Sequence, residues 1–193
     1  EIENELNRLK IQFEYHTDIE YAVADLLAEG NIIGWFQGRM EWGPRALGNR
    51  SILADPRDPK MRDRINNHVK FREWFRPFAP SMLEESTGEY LADSRPSPFM
   101  LLSFDVYKEK RGEIPAVVHV DGTTRPQTVD RRTNPRYYKL ISRFRELTGV
   151  PMVLNTSFNV RGEPLVLTPY DAIRTFYSTG MDYLAMGDFL IRK

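Results

Sequence analysis

The stretch Asn134-Pro-Arg-Tyr-Tyr-Lys-Leu-Ile-Ser-Arg-Phe-Arg-Glu-Leu-Thr-Gly-Val-Pro-Met-Val-Leu154 decides the fold class. Asn134 is a helix-capping residue, and Pro135 suits the first helical position, where its missing N–H costs nothing. Leu140, Ile141, Phe144 and Leu147 repeat at helical spacing, and Gly149 can close the helix in a left-handed turn. The apolar run Val150 to Leu154 then reads as a buried strand. A helix feeding directly into a strand points to a sheet covered by helices.

The same signals recur outward from this stretch. Thr168-Pro169 starts a helix with Ala172, Ile173 and Phe176 inward and Gly180 beyond its end. Thr17 and Glu20 have the spacing of a capping box, and Ile19, Val23, Leu26 and Leu27 make an apolar face, predicting a helix over 17–29 before Gly30. Asp58-Pro59 predicts another over 59–68, with Met61, Ile65 and Val69 as its face. Strands are expected over 31–37, 78–83, 99–106, 116–120 and 183–191. Three strand candidates fall between the helices at 59–68 and 135–148, so alternation is incomplete. The expected fold is α/β with α+β character: a twisted mixed β-sheet with flanking helices in a single domain.

Composition bounds the function. The 193 residues carry 27 Lys+Arg against 27 Asp+Glu, and no Cys, which excludes disulfides, thiolate metal sites and Cys nucleophiles. No run of about 18 apolar residues exists, so no membrane span is encoded, and a cytoplasmic location is expected. The chain begins at Glu1, which leads us to expect a piece of a longer protein, with residues 1–15 as a linker and residues 16–193 as the domain.

Three groups of residues could carry chemistry. Between Arg39 and Arg76 basic residues outnumber acids. Lys60, Arg62 and Arg64 read as a solvated helix face with ion pairs, whereas Arg45 is set in the glycine- and proline-rich Trp42-Gly-Pro-Arg-Ala-Leu-Gly48. In Lys70-Phe-Arg-Glu-Trp-Phe-Arg-Pro-Phe78 cations alternate with aromatics, which suits an anion site. It equally suits an aromatic core with the charges reaching outward, and a single-stranded nucleic acid site uses the same residue types, although zero net charge counts against that. In Leu154-Asn-Thr-Ser-Phe-Asn159, the side chains of Asn155, Ser157 and Asn159 would share one side of an extended backbone as a polar lining, unless they only serve turns and caps. His119 and Asp121 make a two-residue metal or acid/base candidate, weaker than a structural His.

Four segments stand in order: Gly38-Arg-Met-Glu-Trp-Gly-Pro-Arg-Ala-Leu-Gly-Asn-Arg-Ser51, Asn66 to Ser81, His119-Val-Asp-Gly-Thr123, and Leu154 to Asn159. From about Gly34 to the C-terminus this resembles the C-terminal domain of the O-carbamoyltransferases that decorate antibiotics and nodulation factors. The resemblance implies a YrdC-like domain that binds carbamoyl phosphate and ATP, with Mg²⁺ accompanying the ATP, and forms carbamoyl adenylate. It implies an N-terminal domain outside this chain that holds a metal ion and passes the carbamoyl group to a hydroxyl of a sugar or antibiotic-like acceptor; no metal ligand is implied within this chain. Carried onto matching positions, Lys70 and Arg76 would clamp the donor, Arg45 would grip a phosphate and Arg125 would add a cation. Ser157 and Asn159 would bind the adenylate region, with Asn155 beside them. A homodimer is compatible with all of this, and an RNA- or nucleotide-binding module without catalysis is the alternative.

Overall fold

The structure, a computed structural model, describes residues 1–193. Its elements are α1 (Ile2–Arg8), β1 (Glu14–Tyr15), α2 (Ile19–Ala28), β2 (Ile33–Phe36), β3 (Arg50–Ala54), α3 (Met61–Ile65), β4 (Ala79–Leu83), α4 (Thr87–Tyr90), β5 (Phe104–Asp105), β6 (Thr123–Thr124), β7 (Gln127–Val129), α5 (Pro135–Thr148), β8 (Met152–Ser157), α6 (Pro169–Tyr177), β9 (Tyr183–Met186) and β10 (Phe189–Arg192). Eight strands form one sheet in the order β1-β10-β9-β2-β3-β8-β4-β7, and β5 pairs with β6. The β2–β9 and β4–β7 pairs are parallel and the others antiparallel, so the sheet is mixed, as expected.

The core is built on the central strands. Every residue of β2, β3 and β4 is buried, which requires cover on both faces. α5 packs against α2 and over β8 and β4, while α6 packs on β2 and β9. Phe144 and Tyr137 of α5 and Phe176 of α6 are fully buried, and truncating one such Phe to Ala costs about 3–5 kcal/mol in a close-packed interior.

α5 begins and ends where the sequence predicts: the Asn134 side chain accepts the Tyr137 N–H, and Gly149 adopts φ +77°. α6 carries a full capping box, in which Thr168 and Asp171 exchange side-chain-to-backbone hydrogen bonds. The capping box at Thr17 does not form. Glu20 is instead buried and paired with Arg136 of α5, and Asp18 occupies the cap position without a side-chain capping bond. Asp58 accepts the Lys60 N–H in a turn ahead of α3 rather than capping it at Pro59.

Other expectations change for identifiable reasons. Residues 1–15, expected as a linker, contribute α1, with Leu6 fully buried, and the edge strand β1, which pairs with β10. The run 99–106 yields only β5, since Phe99 and Leu101 face solvent. The run 116–120 is a 3-10 turn over Pro115–Val117, because Pro115 presets a turn dihedral and lacks a ladder donor. The run 183–191 is a hairpin, β9 and β10, which turns at Gly187 with φ +58°.

β3 is absent from the sequence-based expectations, because it opens on a charged residue. The buried Arg50 guanidinium lies 3.5 Å from the centroid of the Phe36 ring and donates to Gln37 O at 2.8 Å and Gly38 O at 3.2 Å. Gly48, just before it, holds φ +101°, and a Cβ there would lie 2.2 Å from the Tyr137 ring. The loop between β2 and β3 therefore cannot spare that glycine.

Candidate functional site

Three chain segments converge on the β4–β8 part of the sheet. The first is the loop 38–49. Its neck is gathered by one carboxylate oxygen: Glu41 Oε1 accepts the N–H groups of Leu47 at 2.7 Å, Asn49 at 2.8 Å and Arg50 at 3.3 Å. Trp35 Nε1 also donates to Gly48 O at 2.9 Å. These bonds fix the loop whose tip carries Arg45.

The second segment runs on from α3. The predicted helix 59–68 is α-helical only over Met61–Ile65 and widens into a π-turn over Asn66–Lys70, which Phe71 ends at φ +48°. Such widened turns recur at functional sites because they re-aim side chains without ending the helix. The buried Asn66 organises the loop beyond the π-turn: Oδ1 accepts Arg72 Nε at 2.7 Å, and Nδ2 donates to Trp74 O at 3.3 Å and Arg76 O at 3.2 Å. The third segment is β8 with its exit. Asn155 pairs in register with Leu53 of β3 and Ala79 of β4, and Asn159 Nδ2 donates to Glu163 O at 2.7 Å, closing the turn.

These segments enclose a cavity of about 340 Å³ lined by Arg45, Lys70, Arg72, Arg76, Arg125, Asn155, Thr156, Ser157 and Asn159 together with small and apolar residues, and no carboxylate lines it. A second cavity, of about 210 Å³, adjoins it through Lys70, Arg72, Arg76 and Asn159 and is bounded by Arg161 and Glu163. All seven residues singled out from the sequence, Arg45, Lys70, Arg76, Arg125, Asn155, Ser157 and Asn159, meet at the first cavity. Arg72 is the cation that sequence reasoning missed. The alternation Lys70-Phe-Arg72 was its signal, and its guanidinium stacks 4.7 Å from the Phe78 ring centroid.

The electrostatics reflect how few partners these cations have. Arg45 and Arg125 form no hydrogen bond or ion pair within the chain, whereas Arg76 pairs with Glu73 at 3.1 Å. Burial and then the neighbouring Arg45 hold the Arg125 guanidinium below its ordinary range, and burial and then Arg76 do the same to Arg72. Lys70 is different: its Nζ donates to Ser157 O at 2.6 Å, Asn159 Oδ1 at 2.7 Å and Asn159 O at 2.9 Å. Burial, and secondarily Arg72, push its pKa down to about 7. Its three protons tie the π-turn to the exit of β8, and an anion in the cavity would favour its charged form.

The aromatic residues of the second segment do not all enter the core. Phe78 is buried, but Phe71, Trp74 and Phe75 are 52%, 66% and 64% exposed. His119 and Asp121 do not form a metal pair on a strand: Asp121 Oδ1 accepts the Thr123 N–H at 2.9 Å and its hydroxyl at 2.8 Å, and His119 Nδ1 lies 3.2 Å from the same hydroxyl. Burial, ahead of the opposing effect of Asp121, lowers the His119 pKa. No group of three or more His, Asp or Glu is arranged to hold a metal ion, and no helix is long and apolar enough to cross a membrane.

Comparison with known proteins places these features in a wider set. A family model described as carbamoyltransferase C-terminus matches residues 24–193. The chain is 53% identical over 179 residues to nodulation protein NolO of Bradyrhizobium diazoefficiens, a match covering 91% of this chain and 33% of that protein. It spans about a third of the length of the curated relatives it matches. Among solved structures, full-length HypF in its phosphate- and nucleotide-bound form superposes with a TM-score of 0.64 at 19% identity, covering 89% of this chain and 25% of that one. Sua5 of P. abyssi complexed with L-threonine superposes with a TM-score of 0.60 at 17% identity, covering 88% of this chain and 46% of that one. These likenesses establish the fold.

Proposed function

The chain belongs to the carbamoyltransferase C-terminus family, and from that premise we propose that it activates carbamoyl phosphate with ATP, forming carbamoyl adenylate for transfer to a hydroxyl of a small-molecule acceptor. The observation that carries this reading is the cavity itself, with five cationic side chains and no carboxylate in its lining. Such a lining has no use for a neutral or cationic ligand and matches a polyanion.

The overall step balances with water as co-reactant. Water opens carbamoyl phosphate to carbamate and inorganic phosphate, and a carbamate oxygen then attacks the α-phosphorus of ATP, forming the mixed anhydride and releasing pyrophosphate. No side-chain nucleophile is needed, so the protein contributes position and fixed positive charge. Arg45 and Arg125, free of internal partners, bind the phosphate of the donor. Arg72 and Arg76, which face both cavities, bridge donor and nucleotide phosphates. Lys70 holds the exit of β8 in place and faces the same oxygens, while Ser157 and Asn159 line the adenylate region.

Mg²⁺ accompanying ATP would offset charge on its phosphate oxygens. With no carboxylate in the lining to ligate it, the ion would be carried by the nucleotide. In this reading the acceptor site and a metal-bearing transferase domain would lie outside this chain, which spans about a third of the length of its curated relatives.

The test is mass spectrometry for carbamoyl adenylate, with parallel pyrophosphate detection, after mixing the protein with carbamoyl phosphate, ATP and Mg²⁺. We expect a product whose formation falls about 10²–10³-fold in Lys70→Ala. A folded protein that binds neither carbamoyl phosphate nor ATP would reject the reading. The exposed Phe71, Trp74 and Phe75 beside the cations favour a second reading, an RNA-binding module. Salt-sensitive RNA affinity that ATP cannot displace would support that one instead.

A further inference from the structure

One side chain of the cationic cavity has an unfilled hydrogen-bonding atom of the opposite kind. Asn155 lines the cavity and is 2% exposed. Its Nδ2 donates to Ser81 Oγ at 2.8 Å and Ala46 O at 3.1 Å, while its Oδ1 is buried without a partner. The amide cannot be turned the other way, because a backbone carbonyl only accepts and so must face the nitrogen. The network behind it is directional for the same reason: Ser81 Oγ donates to Gln127 Oε1 at 2.7 Å, and Gln127 Nε2 donates to Leu47 O at 2.8 Å. Two carbonyls of the loop 38–49 therefore fix which atom of Asn155 is left over.

A buried acceptor without a donor is costly unless a ligand supplies one. The charged side chains around it are all cations, and the neighbouring amide oxygen, Asn159 Oδ1, is already taken by Lys70. Arg125 Nε is also buried and unpartnered. The lining thus holds a buried acceptor and a buried donor without partners, Asn155 Oδ1 and Arg125 Nε, beside a site for an anion. A carbamoyl group presents an –NH₂ and a C=O on one carbon, attached to the phosphate oxygen, and fills both needs.

We infer that Asn155 Oδ1 accepts a hydrogen bond from the –NH₂ of the carbamoyl donor and thereby selects carbamoyl phosphate over acyl phosphates that carry a methyl group there. This rests on the proposed function, and it assigns Asn155 a role in specificity rather than in holding phosphate. Asn155 is paired on both sides within the sheet, through β3 and β4, which suits a small group reaching the base of the cavity. The purine amino group is the other –NH₂ among the substrates, and the test separates the two.

The test compares affinities for carbamoyl phosphate, acetyl phosphate, inorganic phosphate, ATP and GTP in the wild type and in Asn155→Ala, with thermal unfolding as the folding check. Acetyl phosphate has the same charge and nearly the same shape but no N–H, so the wild type should bind it roughly 10- to 100-fold more weakly than carbamoyl phosphate. Asn155→Ala should erase most of that gap while still binding inorganic phosphate. Wild type that binds both acyl phosphates equally overturns the inference without any variant. So does a folded Asn155→Ala that keeps the gap, including one that loses ATP over GTP preference instead, which would assign Oδ1 to the purine. Wild type that binds inorganic phosphate but neither acyl phosphate would reject the functional reading itself.

Discussion

Two groups of cations in this molecule differ in one respect, and that difference separates folding from function. On α5 every cation has a partner: Arg136 pairs with the buried Glu20 and with Asp188, Lys139 reaches Asp18 at 2.6 Å, Arg143 reaches Asp25 and Arg145 reaches Glu89. Elsewhere in the frame Arg57 holds Asp55 at 2.6 Å and Arg64 holds Asp182 at 2.7 Å. Around the cavity, Arg45 and Arg125 have no partner, and burial and then the neighbouring Arg76 lower the pKa of Arg72. Paired charges specify how elements meet. Unpaired charges held together by loops, at a cost to the fold, mark where a ligand brings the opposite sign.

Perturbing each side in turn breaks or sharpens the contrast, and Lys70 should show the largest effect because it belongs to both. Lys70→Ala removes a charge from the cavity, takes the Lys70 donor from both Asn159 oxygens and leaves Ser157 O with only the Asn159 N–H. Turnover in the adenylation assay should fall about 10²–10³-fold, with a measurable drop in denaturant midpoint. Arg136→Ala should instead cost about 3 kcal/mol of unfolding free energy by leaving the buried Glu20 with only its more distant Lys139 partner. Carbamoyl phosphate affinity of the folded variant should not change.

Arg45→Ala and Arg125→Ala should invert that pattern. Each should lower donor affinity about tenfold in a calorimetric titration while unfolding free energy stays within about 0.5 kcal/mol of wild type. Thr168→Ala, at a position that lines neither cavity, should cost about 1 kcal/mol through loss of the α6 cap and leave binding intact.

The pH dependence is the subtlest test. Lys70 titrates near 7 in the folded chain against 10.5 for the ordinary group, so between those values the unfolded chain holds more protons, and this group makes stability rise with pH. An anion in the cavity raises its pKa again. Binding of inorganic phosphate above pH 7 should therefore take up protons, seen as a dependence of the apparent enthalpy on the buffer's ionisation heat, and Lys70→Met should remove that dependence.

Much of the frame was legible because its signals are local. Asn134-Pro135 and Thr168-Pro169 fix helix starts by capping chemistry that needs no tertiary context, and the apolar faces of α2, α5 and α6 emerge from period alone. The features that stayed hidden depend on distant partners. Arg50 opens a fully buried strand only because Phe36 and the carbonyls of Gln37 and Gly38 receive its guanidinium. Glu20 looked like half of a capping box, but an arginine 116 residues away claims it. Residues 1–15 carry no strong periodicity, yet Leu6 is buried and Tyr15 pairs with Phe189.

The same division holds at the cavity. Arg45, Lys70 and Arg76 stood out because cations set among glycine, proline and aromatic residues are unusual for a solvated surface, whereas Arg125 was pointed to only by the family resemblance. Arg72 was hidden among them. That Asn155 would keep a free oxygen could not be seen in sequence, since it depends on which backbone carbonyls its nitrogen meets.

The measurement that bears most directly on this account is a calorimetric titration of carbamoyl phosphate into three proteins under one set of conditions: wild type, the Arg45→Ala/Arg125→Ala double variant and Arg136→Ala. The account predicts that the double variant loses about 100-fold in affinity with an unfolding transition like that of wild type, and that Arg136→Ala unfolds more easily but binds as wild type does. A double variant that binds carbamoyl phosphate as tightly as wild type would contradict it.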